Sequence, residues 1–509
     1  MMICALVRKQ LRELGAAFLR SSKTGKARSR ASAVGYALLF AVLVVVLMLC
    51  FAGMALPLAS VLLPAGLDWL YFASMGLTAL LVSVLASAFT SYSGLFQSRD
   101  NELLLSLPIP PAVIFGVRVS TVYLACLIQV GAGISMVGVM SFLPLFLSEI
   151  GITDPGEAAF WAGLIVGITP FMIAFSAPFW SIQADRRGPK TVMSVVLLTV
   201  TASSLLQGFA TSPWHLLFLR MAQGLVGGFV PIGLSIVVSV TPENKTSWSM
   251  GYFQAAMVMG IMFGPLLGGT IADTFGYRMP FFFFAFLAFC CFLAVRIFLP
   301  AIHRKGADKE RASTMSQIFY FMKIPRVRLM TFMQFLCNFG ITGIGPILPL
   351  YIKQMVGTDS ELVATMVGFI IFISGGCSAV MSLNVGRLTE AIRPHRILAG
   401  ATFFVGFTFI MQYMMSSVTG LGAWRGMTGL GMGLIAPCTN TIIARSVPPE
   451  KRAIVFGVVS SVFLMGNVAG PVCSGALARF LGYSSVFWST ALAFLLAGAL
   501  IAWNFRKEW

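Results

Sequence analysis

The chain has 509 residues, 58% of them hydrophobic and only 10% charged, with a formal net charge of +18. Soluble domains carry about 25% charged residues, which excludes a soluble globule, and membrane barrels read as alternating segments of ~10 residues, which excludes a barrel. What remains is an all-α polytopic membrane protein, in which the surplus of Lys and Arg sets topology and does not serve nucleic acid.

Residues 1–30 hold eight basic side chains, and the apolar run from Ala33 to Leu63 is longer than the core of a secretory signal. The expectation is a cytoplasmic tail followed by two true spans, about 34–63 and 69–96. After them comes "FQSRDNELLLSLPIPPAVIFGVR". This stretch resembles the start of an ABC-2-type exporter permease. Residues 1–118 thus read as a truncated permease-like leader fused to the rest near 115–128, with a two-helix accessory anchor as the alternative.

From about residue 119 the chain holds two sets of six apolar runs. The first set covers roughly 121–147, 158–181, 191–209, 212–240, 248–272 and 279–300. The second covers 328–352, 362–385, 395–416, 418–445, 453–478 and 483–505. Each run can cross a bilayer as a helix. A polar, basic linker separates the sets and includes most of His303 to Arg328. The domains are therefore a leader at 1–118, a first six-helix bundle at 119–300, a cytoplasmic linker at 301–327 and a second six-helix bundle at 328–509.

The sets are copies of one another. Pro144 in "SFLPLFL" matches Pro349 in "PILPLYI", 205 positions later. Asp185 matches Glu390, and Arg220 matches Arg425, at the same offset of 205. Glu243 matches Glu450 at 207, and Gly264-Pro265 matches Gly470-Pro471 at 206.

Four features in the copies can do chemistry. The loop "FWSIQADRRGPK" holds Asp185, Arg186, Gly188 and Lys190 at a membrane surface, where such charges can pair across to the other half in one conformation and release in another. Arg220 lies about eight residues into its run, roughly 12 Å along a helix rising 1.5 Å per residue. An ionisable group at such a depth is a candidate functional residue, as is its counterpart Arg425. Gln129, Gln223 and Asn338 are embedded polar residues that could line a substrate cavity or join helices. Finally, "GIMFGPLLGG" aligns Gly260, Gly264 and Gly268 on one smooth face beside Pro265 and Gly269, and Gly466, Gly470 and Pro471 repeat it. Small faces let helices approach closely, and each proline removes a backbone donor. These two runs, the fifth of each copy, are expected to be bent partners at the interface between the halves.

Charge sets the orientation. Arg186, Arg187, Lys190, the linker, Arg393, Arg396, Lys451, Arg452, Arg506 and Lys507 fall on one side, which the positive-inside rule makes cytoplasmic, together with both termini. The opposite loops hold Arg278, Lys353 and Arg479 but more acids: Glu149, Asp154, Glu157, Asp273, Asp359 and Glu361. None of the seventeen acids falls near a bilayer midplane. A coupled proton would have to use Asp185, Glu390 or Asp273, displaced around Arg220. The nine cysteines lie almost entirely in apolar runs without a Cys-x-x-Cys pair, and the three histidines form no His-x-x-x-His pair. No metal, cofactor or nucleotide-binding loop is expected.

"ADRRGPK", "LRMAQGLVGG" and "GIMFGPLLGG" resemble, in order, the loop 2–3, helix 4 and helix 5 motifs of the major facilitator superfamily. "FLPLFLSEIG" and "GPLLGGTIADTFGYR" are similar to its bacterial drug:proton antiporters with twelve helices. Ser181 stands where the loop motif usually opens on glycine, and Pro189 where it usually has arginine. The resemblance implies two six-helix bundles rocking around a central cavity, with Asp185, Arg186, Gly188, Lys190 and Glu390 gating the cytoplasmic side and Arg220 serving coupling. It implies proton-driven efflux of small amphipathic compounds by a monomer in the cell membrane, with no covalent catalysis. The alternatives are a facilitator importing a metabolite, and, from the leader, a membrane subunit of an ABC exporter.

Overall fold

The apolar runs become helices whose ends follow local chemistry. The structure, a computed structural model, describes residues 126–227, 232–233, 236–237, 246–298, 324–357, 362–447 and 452–506. The leader spans, most of the linker and the far end of the 212–240 run lie outside the described residues. The described residues within Ile128–Ser235 and Gln254–Trp509 belong to one compact unit, which carries most of both copies.

The first copy holds α1 (Cys126–Ser141), α2 (Leu143–Glu149), α3 (Pro155–Arg187), α4 (Pro189–Gln207), α5 (Pro213–Leu225), α6 (Thr246–Phe275) and α7 (Met279–Phe298). The second holds α8 (Pro325–Gly343), α9 (Leu348–Val356), α10 (Val363–Ala391), α11 (Pro394–Met414), α12 (Val418–Ser446), α13 (Arg452–Leu481) and α14 (Tyr483–Asn504). Among the described residues nine helices are long and apolar enough to cross a bilayer. Two further spans are broken: α1 bends into α2 by 56° and α8 into α9 by 40°. Pro144 and Pro349, the repeat markers, sit in the first turns of α2 and α9. Proline has no N–H to bond back across the break, and a first turn is where that donor is not needed.

Caps fix other ends. Asp154 accepts from the Glu157 amide at 2.7 Å and starts α3, with Pro155 at its first position. Gly188, at φ 85°, ends α3 and opens α4 in a single residue. This left-handed conformation suits glycine, and so the loop motif needs one there. Its counterpart between α10 and α11, Arg393, has ordinary backbone at φ −62°. The α3 helix has 33 residues, ~50 Å of helix against a hydrocarbon core of ~30 Å, so it extends well past the membrane.

Packing repeats with the sequence offset. Gly224 of α5 lies on Thr169 and Met172 of α3, and Gly429 of α12 lies on Ser374 of α10, both members of the pair shifted by 205 positions. In the first copy Phe142 and Phe146 pack on Phe281 of α7, with ring centroids 5.2 and 5.3 Å apart. In the second, Met330, Met333, Phe409, Phe487 and Phe494 form the core that joins α8, α11 and α14.

Candidate functional site

The two copies meet along two seams. In the first, α6 runs antiparallel to α10. Asp273 and Gly269 meet Ala364 and Thr365, Pro265 and Leu266 meet Gly368, the tilted rings of Phe263 and Phe372 have centroids 5.2 Å apart, and Met262 meets Gly375. In the second, α13 runs antiparallel to α3. Arg479 meets Gly156, Gly475 meets Ala159 and Phe160, Pro471 meets Gly163, and Val468 and Val472 meet Gly167. All these contacts fall in the halves of the helices at one end of the bundle, the end carrying Asp154 and Asp273. The loop-motif residues Arg186 and Arg187 lie at the other end of α3.

The glycine motif is split between two jobs, and its partners differ from the sequence expectation. Gly260, Gly264 and Gly268 face Gly133, Ile134 and Gly138 of α1, inside the first half. Gly466 and Gly470 face Phe335, Asn338, Phe339 and Gly343 of α8, inside the second. The nearest neighbours of each motif are thus not the other motif. The reason is the helical period: a four-residue spacing lines up one face, and that face is taken by the first helix of the same half. The adjacent stripe, Pro265 and Gly269 on α6, Pro471 and Gly475 on α13, is the one that crosses to the other half. Both helices run continuously through their prolines.

Arg220 is buried on α5, and its Nη1 donates to the Met136 carbonyl of α1 at 3.2 Å. Its backbone carbonyl accepts from Thr169 Oγ1 at 3.3 Å, and its Nε has no partner. Arg425 is equally buried, but its guanidinium lies 5.8 Å from the Phe409 ring centroid, and Nε and Nη1 are both unpartnered. The carboxamides of Gln129 and Gln223 are buried with no hydrogen bond, so nothing joins them to each other. Asn338 donates instead to the Gln334 carbonyl of its own helix at 3.1 Å. The residue 205 positions after Gln129 is Gln334, which donates to Asn440 Oδ1 at 3.2 Å and so ties α8 to α12. The first half therefore keeps open the amide that the second half satisfies.

At the loop-motif end Arg186 and Arg187 are exposed at the end of α3, and Glu390 is exposed at the end of α10. No ion pair joins either arginine to Glu390. The side chain of Asp185 lies outside the described residues; Lys190 sits in the first turn of α4. At the opposite end Arg278 Nε lies 3.5 Å from Glu149 Oε1, and Arg278 Nη1 donates to the Gly208 carbonyl at 3.0 Å. Tyr277 between α6 and α7 has its hydroxyl pushed up to about 12, by burial first and then by the charges of Asp273 and Glu149.

The family model of the Major Facilitator Superfamily matches residues 125–357 and 330–508, so residues 1–124 stand outside it. The multidrug resistance protein MdtG of Proteus mirabilis is 31% identical over 389 residues, 76% of this chain and 94% of the relative. An uncharacterized MFS-type transporter of Bacillus subtilis, YuxJ, is 32% identical over 371 residues, 72% and 94% of the two chains. In fold the chain is similar to a bacterial homolog of the human lysosomal transporter Spinster, with a TM-score of 0.64 at 16% identity over 77% of this chain and 98% of that one. The resemblance of the leader to an ABC-2-type permease finds no counterpart among these matches. With its duplicated helices, its ordered motifs and this match over most of its length, the chain belongs to the major facilitator superfamily, as a multi-pass membrane transporter and not an enzyme.

Proposed function

We propose that the chain exports small amphipathic compounds in exchange for protons, by alternating access between the two six-helix halves. One observation carries this reading: among the described residues, the contacts found between the halves run along two repeat-related seams and fall at one end. Such a pair can part at that end and close at the other. In this reading the seam end is external, both termini are cytoplasmic, and Arg186, Gly188 and Lys190 with Asp185 and Glu390 form the cytoplasmic gate. Arg220 and Gln223 of α5, with Gln129 of α1, supply the polar part of the cavity. A buried amide without a partner costs about 1–3 kcal/mol, so its retention favours a ligand or water there. The name of the MdtG relatives supports drug efflux. In cells expressing the chain, a fluorescent amphipathic dye is expected to accumulate less than in control cells, and an ionophore is expected to abolish the difference. Equal accumulation across several dyes would overturn the reading.

A metabolite facilitator is the second reading. It is favoured by the lack of any buried Asp or Glu among the described residues, where Arg220 and Arg425 are the buried charges. Ionophore-insensitive counterflow of labelled sugars in proteoliposomes would select it.

A further inference from the structure

Among the described residues, the α10 helix has no capping side chain from its own half. Its N-cap residue, Leu362, offers no side-chain hydrogen bond. The second and third amides of the helix, those a capping side chain normally takes, are held from the other half of the protein. Asp273 Oδ2 accepts from the Thr365 amide at 2.6 Å, and Oδ1 accepts from the Ala364 amide at 3.3 Å. The seam on the other side is built differently. There α3 is capped in cis by Asp154, and the residue 206 positions after Asp273 is Arg479, whose guanidinium lies 5.2 Å from the Phe160 ring centroid. Among the described residues, only the α6–α10 seam therefore carries a helix cap that must break when the halves part.

We propose that Asp273 is a trans-acting cap that positions the transporter in the state closed at this end. Its carboxylate meets the positive end of α10, where a negative charge is favoured. The bond exists only while the halves touch, so its free energy belongs to the closed state alone. Among the described residues, neighbouring charges do not replace it: Arg278 is engaged with Glu149 and the Gly208 carbonyl, and Tyr277 keeps its proton. Asp359 and Glu361, just before α10, lie outside the described residues. The proposal rests on the alternating-access reading, and its test separates the two.

The experiment uses the full chain with its native cysteines replaced and spin labels at Thr211 and Ser416, exposed in the loops before α5 and α12 at this end of the two halves. Distance distributions are recorded in lipid nanodiscs. Asp273→Asn is expected to raise the long-distance population relative to the short one by roughly tenfold, as loss of a charged hydrogen bond implies. Leu362→Ser supplies a cap in cis. Alone, it is expected to shift the parent in the same direction; added to Asp273→Asn, it is expected to leave the long distance in place. An unchanged distribution in Asp273→Asn would overturn the proposal, as would full return to the short distance on adding Leu362→Ser, which would make Asp273 a support of helix integrity only. Gly269→Leu, which drives a side chain into the Ala364 carbonyl, is the control. A long distance there with none in Asp273→Asn sinks the trans cap alone; no change in either variant sinks the rocking motion itself.

Discussion

Arg220 spends one donor on the Met136 carbonyl and holds its Nε unpartnered in a buried place. A guanidinium confined this way costs several kcal/mol unless something else uses it. We expect Arg220→Gln to lower dye efflux at least tenfold or so, the scale of a lost charged hydrogen bond, with the amount of protein in the membrane held near the parent level. Efflux at the parent rate, normalised to immunoblot, would show that the charge is structural. The arginines were readable in the sequence because a charge inside an apolar run has few explanations. Their partners were not: Arg220 and Arg425 share a repeat position, yet one bonds a carbonyl of α1 and the other lies over a ring of α11. Nor was the capping role of Asp273 legible, because the absence of a capping side chain at Leu362 says nothing about which distant residue supplies one.

At the scale of elements, the spacing of Gly260, Gly264 and Gly268 announces a close helix contact but not its partner. The structure assigns that face to α1, where Gly133 and Gly138 are equally small. The consequence for mutation is a division within one motif. A Cβ on Gly264 would sit 3.1 Å from the Gly138 nitrogen, so Gly264→Ala should lower Tm by a few degrees, and Gly264→Leu should deplete the protein from the membrane. Gly269→Leu should instead leave the first half folded and stop transport. Thermal-shift fluorescence of the purified variants beside efflux assays separates the outcomes; the reverse pattern would contradict the assignment of the two stripes. Helix existence and most boundaries were legible, since apolar runs, prolines at first turns and glycine turns are local signals. The breaks between α1 and α2 and between α8 and α9 were less so, because a proline in a long run marks a first turn only once the chain has bent before it.

For the whole molecule, the 205-residue offset returns as matched contacts, Gly224 on Thr169 and Gly429 on Ser374, so the duplication read from motifs is also a duplication of packing. The leader stands outside the family match at 125–508. Removing residues 2–118 is therefore expected to leave ionophore-sensitive dye efflux within about twofold of the parent, a difference of under ~0.5 kcal/mol in the rate-limiting barrier. Complete loss of efflux with normal insertion would tie the leader to transport and reopen the permease reading. The seams hold a consequence for speed. At their glycine positions backbone is set against carbonyls of the other half, beside side-chain contacts such as Phe263 with Phe372 and Arg479 with Phe160. A glycine set in this way is strict about shape and has no side-chain rotamer of its own to free when the contact parts. In the proposed switch between states these positions add little friction. In that proposed switch a directional bond such as the one Asp273 makes to α10 is a more effective brake than a glycine contact of the same area.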